Sequence, residues 1–98
     1  MKLMVFSRPQ PGRDEEYNTW YRDVHVPEML AINGVRSCTR HRLRTTGDQP
    51  VEYLAVYDIE GDIDIVMKEL MTRSKDGRMR LSPSIDPANT RMTIWEPI

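Results

Sequence analysis

A histidine lies near the end of the aromatic stretch YNTWYRDVHVPEML, which runs from Tyr17 to Leu30. An ordinary imidazole pKa near 6.5 makes His25 a natural general acid or base at neutral pH, able to move a proton next to a carbonyl or on a phenol. The structural alternative is a helix cap, because a histidine at a helix end satisfies terminal carbonyl groups and the negative end of the helix dipole. Both interpretations are consistent with the sequence.

Two other side chains can complete a site around His25. Tyr21 precedes it by one helical turn and can hydrogen-bond a substrate oxygen or orient the imidazole. His41 alternates along a strand with Val35 and Leu43, which makes it a core residue or a second cavity residue. If both histidines face one cavity, they supply the acid and the base that enolisation and reprotonation require.

Tyr57 is the third candidate for orienting a substrate, because its hydroxyl shares a strand face with that of Tyr53. An equally good account makes both tyrosines stacking partners of arginines on the neighbouring strand. That strand carries four arginines on one predicted side, and they cannot all be buried without partners. Either this side is partly solvated, or it meets acids of a second subunit, or it binds an anionic ligand. The arginines are Arg36, Arg40, Arg42 and Arg44.

Composition excludes several classes of function. The 98 residues include 14 basic and 15 acidic side chains, so no charge excess indicates nucleic acid or an anionic membrane as a partner. No apolar run approaches the roughly 20 residues that span a bilayer, and Met1 does not open a signal peptide, so we expect a soluble, cytoplasmic protein. The single cysteine, Cys38, predicts no intrachain disulfide, and we expect no metal site. Phosphate-binding loops, serine elbows and dinucleotide fingerprints are absent, and no organic cofactor is predicted.

The first half of the chain predicts a strand, a helix and a long strand. KLMVFS suits a strand that ends before Pro9 and Pro11. The helix that follows has acids in its first turn and an apolar stripe, and Pro27 predicts its end near His25, with a short second turn after it. The stripe consists of Tyr17, Trp20, Tyr21 and Val24.

The second half predicts a hairpin strand, a second helix and a last strand, so the order is βαββαβ. The second helix starts from an Asp62 cap, stops at Gly77 and buries one face, with Ile63, Val66, Met67, Leu70 and Met71. This order predicts one α+β domain over residues 1–98, with a ferredoxin-like four-stranded antiparallel sheet and both helices on one face. The other sheet face stays uncovered, and a second copy of the chain is its simplest partner.

The run PGRDEEYNTWYRDVHVPEMLAINGV, Pro11 to Val35, resembles the EthD-like family of the dimeric α+β barrel superfamily. The resembling features are the aromatic pair, the His-x-Pro that follows it, and the glycine before the second strand. The resemblance implies a homodimer in which two sheets pack face to face into an α+β barrel. Related branches of the superfamily carry out small-molecule chemistry in a cavity between helices and sheet, so the resemblance also implies a cavity of this kind. Those branches include cyclases, isomerases, cofactor-free monooxygenases and haem enzymes, so the reaction stays open.

From these features we expect an enzyme without an organic cofactor that acts on a small cyclic or aromatic oxygenated compound. Isomerisation, cyclisation or lyase chemistry suits a lone base, with His25 as the catalytic residue and Tyr21, His41 and Tyr57 as substrate-binding residues. The alternatives are a non-catalytic dimeric ligand-binding or accessory protein, and a cofactor-free monooxygenase. A haem protein with His25 or His41 as the axial ligand is a third alternative.

Overall fold

The computed structural model describes all 98 residues, and its elements follow the predicted order. The strands are β1 (Lys2–Ser7), β2 (Val35–Arg42), β3 (Tyr53–Ile59) and β4 (Arg91–Trp95). The helical segments are α1 (Asp14–Trp20), a π-helical turn (Tyr21–His25), α2 (Val26–Leu30), α3 (Ile63–Lys75) and a 3₁₀ turn (Pro87–Asn89). The predicted α+β, ferredoxin-like architecture is thereby confirmed.

The four strands form one antiparallel sheet in the order β2-β3-β1-β4. In the central pair, Leu3 lies opposite Tyr57 and Val5 lies opposite Ala55. These four side chains face the helices and are buried, because alternate residues of a strand point to the same side of the sheet. The middle of the sheet therefore forms the floor of the core.

The helices bury the apolar faces that their spacing predicts. Tyr17, Tyr21 and Met29 of the first helical stretch are buried, as are the apolar residues of α3 at positions 63, 66 and 70. Asp62 caps α3 as predicted, since its carboxylate accepts a 2.8 Å hydrogen bond from the Asp64 backbone N–H. Met71 departs from the prediction with 49% of its surface exposed.

The predicted helix end near His25 is wrong, because residues 14–30 form one uninterrupted helical stretch, called here the first helix. Pro27 lies inside it rather than behind its end. The Val26 N–H donates to the Tyr21 carbonyl, five residues back, which is the bond of a π-helical turn. The change of register also turns Val24 outward, where 44% of its surface is exposed instead of buried.

A bulge in β2 overturns the predicted alternation of that strand. Val35 pairs with Ile59, but Ser37 already pairs with Asp58, so one extra residue stands between them. After the bulge, the alternation is shifted by one residue. Val35 is buried under the helices, whereas His41 pairs with Leu54 on the opposite sheet face. The expectation that these two side chains share one side is therefore wrong.

The sheet face away from the helices is open. Its middle carries Met4, Phe6, Leu54 and Val56, all partly exposed, because neighbouring side chains of the sheet cover them only in part. The Arg91 guanidinium lies 3.9 Å from the centre of the Phe6 ring on this face. None of the helices combines the length and hydropathy that a bilayer crossing requires.

The glycine between the first helix and β2 generates a stability prediction. Gly34 has φ +101°, and a Cβ placed there would lie 2.9 Å from Val66 Cγ2 and 3.0 Å from the Glu60 carbonyl oxygen. Gly34→Ala therefore adds a clash to the strain of a left-handed backbone, and we expect a loss of about 3 kcal/mol in the free energy of unfolding. Urea denaturation measures it.

Gly61→Ala is the matched control. Gly61 has a similar φ of +87° but no atom within 4 Å of an added Cβ, so only the backbone strain remains. We expect a loss of about 1 kcal/mol for this variant. Equal losses for the two variants would contradict the close approach of α3 to Gly34.

Candidate functional site

A cavity of about 560 Å³ lies between the first helix, α3 and the β1–β4 edge of the sheet. Its walls are mainly apolar, and they include Val5, Met29, Leu70, Met79, Ile85 and Met92. The polar groups on it are few, as in most sites for small organic ligands. Tyr21 and His25 contribute two of them from the first helix.

His25 is fixed between aromatic rings at the wall of this cavity. Its imidazole stacks on the Trp20 indole, with ring centres 4.7 Å apart, and meets the edge of Tyr21 at 5.0 Å. Of the two histidines, only His41 makes a side-chain hydrogen bond within the chain, to Thr39. The ring nitrogens of His25 are thus free for a ligand in the cavity.

The environment of His25 keeps the imidazole uncharged. Burial lowers the pKa of His25 from 6.5 to about 4, and the positive charge of Arg40 lowers it further in the same direction. At neutral pH the ring is therefore unprotonated, which is the form that can serve as a base and not as an acid. Since His25 lies in mid-helix with its backbone carbonyl and N–H in helical geometry, the helix-cap interpretation does not describe this residue.

Tyr21 and Tyr57 have different relations to the cavity. Tyr21 is on its wall, and burial raises the pKa of its hydroxyl, which stays protonated at neutral pH. Tyr57 is fully buried in β3 and is not a wall residue; its hydroxyl lacks a hydrogen-bond partner, and burial raises its pKa as well. Tyr57 therefore lies behind the wall rather than in it.

The Arg40 guanidinium lies among the rings of three tyrosines, one of which is the wall residue Tyr21. Its guanidinium carbon lies 4.3 Å from the centre of the Tyr21 ring, and 5.7 and 5.6 Å from those of Tyr17 and Tyr53. One nitrogen donates a 2.8 Å hydrogen bond to Asn18 Oδ1, while Nε is buried without a partner. The sequence indicates contacts between arginines of this strand and the tyrosines of the neighbouring strand. It does not show that Arg40 is the arginine that makes them.

His41 is not on the wall of the cavity in its own chain. It is exposed on the open sheet face, and the bulge at the start of β2 is the physical reason. The hypothesis of an acid–base pair of histidines in one cavity is therefore wrong for a single chain. No three His, Cys, Asp or Glu side chains lie close enough together to hold a metal ion.

Some wall residues come from a segment that the sequence predicts only as an ordered connection. Met79, Arg80, Leu81 and Ile85 lie between α3 and the 3₁₀ turn, and they close one side of the cavity. The segment is held by backbone hydrogen bonds, such as Gln10 N–H to the Ser84 carbonyl at 2.7 Å. No periodic pattern marks these residues, since they belong to neither a helix nor a strand.

The sheet order, the helices on one face and the cavity between them define an α+β protein of ferredoxin-like fold. A solved structure shares this fold over nearly the whole chain: an ethyl tert-butyl ether d (EthD) family protein from Bacillus halodurans C-125. The TM-score is 0.59 and the sequence identity 17%, with 98% of this chain and 99% of that chain covered. The resemblance to EthD-like proteins is thus confirmed for the fold.

The sequence itself does not match any protein-family model. A search of curated proteins likewise finds no match. The likeness to the EthD family protein is therefore one of fold, and a fold does not by itself determine the chemistry of its cavity.

The lowered pKa of His25 predicts a pH dependence of stability. The folded state keeps the ring unprotonated down to about pH 4, whereas the unfolded chain protonates it near 6.5, so the unfolded state binds more protons between these values. The stability that neutral His25 contributes is therefore complete above pH 6.5 and falls as the pH drops toward 4, by roughly 2–3 kcal/mol.

Urea denaturation of the wild type and of His25→Asn between pH 4 and 7.5 measures this effect. Asparagine does not titrate, so the stability difference between the two proteins isolates the contribution of His25 from that of the carboxylates. We expect the difference to shift against the wild type below pH 6.5. A constant difference over the whole range would show that His25 titrates like an exposed histidine.

Proposed function

We propose that this chain is a small-molecule enzyme in which His25 acts as a general base on a cyclic or aromatic oxygenated compound. The reaction type is proton abstraction next to a carbonyl, which leads to isomerisation, cyclisation or elimination. One observation carries the proposal: an uncharged imidazole with free ring nitrogens lies on the wall of an apolar cavity. The transfer of a proton uses only groups of the chain and the substrate.

The low pKa of His25 limits the substrates that this base can serve. An imidazole with a pKa of about 4 is a weak base in the empty cavity. When it removes a proton, however, an enolate forms beside the new imidazolium, and the opposite charge stabilises the protonated ring. A C–H bond already acidified by a neighbouring carbonyl therefore suits this base, whereas an unactivated one does not.

Tyr21 is the proposed partner of His25 in this reaction. Its hydroxyl stays protonated at neutral pH because burial raises its pKa, so it can donate a hydrogen bond to a substrate oxygen. Its ring also meets the imidazole edge-on at 5.0 Å, which restricts the orientation of His25. Tyr21 is therefore assigned to positioning both the base and the substrate.

Hydrogen–deuterium exchange tests the proposal before the natural substrate is identified. A series of cyclic ketones and lactones is incubated in D₂O with the protein, and proton NMR follows the loss of signals next to the carbonyl. We expect exchange with the wild type and a loss of 100-fold or more, on the order of a general-base contribution, in His25→Asn.

His41→Asn is the control, because it removes the other imidazole from the opposite sheet face. We expect its exchange rate to remain near that of the wild type. If ligands shift the His25 resonance but no compound exchanges in any of the three proteins, the chain is a ligand-binding protein instead. Equal losses in both variants would remove His25 from the role of base.

The open sheet face supports a second proposal, that the protein is a homodimer that buries this face. Partly exposed Met4, Phe6, Leu54 and Val56 form an apolar patch in the middle of the sheet, and Trp95 stands beside it with 54% of its surface exposed. Apolar side chains gain stability when a second copy removes them from water. The EthD-like fold is consistent with such a face-to-face arrangement.

A charged substitution at the centre of the apolar patch is expected to dissociate this dimer. Val56→Lys places a charge in the middle of the proposed interface, and we expect the dimer to weaken by at least 100-fold, measured by sedimentation velocity over a concentration series. Ile65→Lys is the matched control, since Ile65 is 67% exposed on the outer side of α3. A wild-type protein that sediments as a monomer at all concentrations would refute the dimer.

A further inference from the structure

The arginines of this chain divide into two groups by their partners. Of 11 arginines in the sequence, six lie within salt-bridge distance of an acidic side chain. Those six are Arg8, Arg13, Arg22, Arg36, Arg73 and Arg78. The arginines on and directly behind the cavity wall, Arg80, Arg91 and Arg40, are outside this group.

The cavity wall itself includes arginines but no acidic residue. Arg80 and Arg91 both contribute to it, and no aspartate or glutamate does. The Arg91 guanidinium, however, lies over the Phe6 ring on the other sheet face, which leaves Arg80 as the cationic side chain of the cavity. The carboxylate of Glu28, three residues beyond His25, is also not part of the wall.

Arg80 stands where the cavity meets solvent. It is an exposed residue of the connection after α3, and its neighbours on the wall are Met79 and Leu81. A Cβ at Gly77 would lie 3.5 Å from Arg80 Nη2, so the guanidinium rests beside the backbone just after the end of α3. Helix C-termini carry partial negative charge, which holds a cation there without neutralising it.

Arg40 adds a second positive charge behind the wall. Its guanidinium carbon lies over the Tyr21 ring, 4.3 Å from the ring centre; Arg40 is not itself a wall residue and has no carboxylate partner. Charges in a partly buried, low-dielectric setting act over longer distances than charges in water. Arg80 at the opening of the cavity and Arg40 against Tyr21 therefore both place positive charge near the cavity.

We propose that the cavity takes a small organic anion, a ring or short apolar body with one carboxylate, whose negative group pairs with Arg80 at the mouth. The inference rests on the proposed function and names its substrate class. The apolar wall accommodates the body, and the guanidinium offers paired N–H donors that match the two oxygens of a carboxylate. The orientation places the apolar body, with the bond to be deprotonated, toward His25.

Pairs of probes that differ only in charge test this inference. Benzoate is compared with benzamide, and phenylacetate with phenylacetamide, by titration calorimetry and by the NMR shift of His25. We expect each carboxylate to bind at least about tenfold more tightly than its amide, the contribution expected of a charged hydrogen-bonded pair. In Arg80→Gln this preference is expected to disappear while the affinity for the amide stays the same.

Arg78→Gln is the matched control, since it makes the same change of net charge two residues away. Arg78 is paired with Asp76 at 2.7 Å and is not on the cavity wall, so its variant should keep the preference. Equal affinity for the carboxylate and the amide overturns the inference. So does an equal loss in both variants, or the absence of binding for every carboxylate below about 1 mM.

The exchange experiment separates this inference from the proposed function. A carboxylate preference that depends on Arg80, in a protein that exchanges no C–H proton, upholds the anion site and refutes the general base. Exchange of neutral ketones without any carboxylate preference gives the opposite result. The two proposals can therefore fail independently.

Discussion

Pro27 has no backbone N–H, and the helix that contains it nevertheless continues to Leu30. In a regular α-helix, the proline ring would collide with the carbonyl four residues back, at a cost of about 3 kcal/mol. Here the preceding turn is widened, and the Val26 N–H bonds to the Tyr21 carbonyl five residues back. This one change of hydrogen-bond register sets the orientation of every side chain from Tyr21 to His25. The stacking of His25 on Trp20 and its approach to Tyr21 depend on it.

The second constraint is a half-buried positive charge, that of Arg40, with no opposite charge beside it. Arg40 lies on β2 opposite Ala55, whose small side chain leaves room above the sheet for the guanidinium and the tyrosine rings. Aromatic faces and the side-chain oxygen Oδ1 of Asn18 compensate part of the desolvation, but Nε stays unpartnered. A positive group of this kind disfavours a second positive charge close by. The neutral form of the neighbouring His25 imidazole is consistent with this positive charge.

The elements of the fold follow from the sequence, whereas the site follows from two local irregularities that a periodic pattern does not show. Strand alternation and helical spacing correctly predict the element order, the buried Tyr17 and Tyr21, and the Asp62 cap. The π-helical turn and the β2 bulge each shift a pattern by one residue, and they account for the errors at Val24 and His41. Pro27 indicates a disturbance of the helix but not whether the helix ends or widens there, and nothing in the spacing of residue types marks the bulge.

The low pKa of His25 and the lack of an acidic partner for Arg40 are connected, because the unpaired positive charge of Arg40 contributes to that pKa. A carboxylate beside Arg40 would stabilise the guanidinium, but it would also cancel the positive charge that, after burial, contributes to the lowered pKa of His25. A carboxylate on the cavity wall near Arg80 would in the same way neutralise the positive charge of Arg80 at the opening of the cavity. Leaving the half-buried Arg40 without an acidic partner costs stability, whereas the exposed Arg80 stays solvated. Under the proposed anion binding, both charges remain available to a negatively charged ligand. Under the proposed function, a bound anion and the enolate formed from it would compensate these charges, which lack acidic partners within the chain.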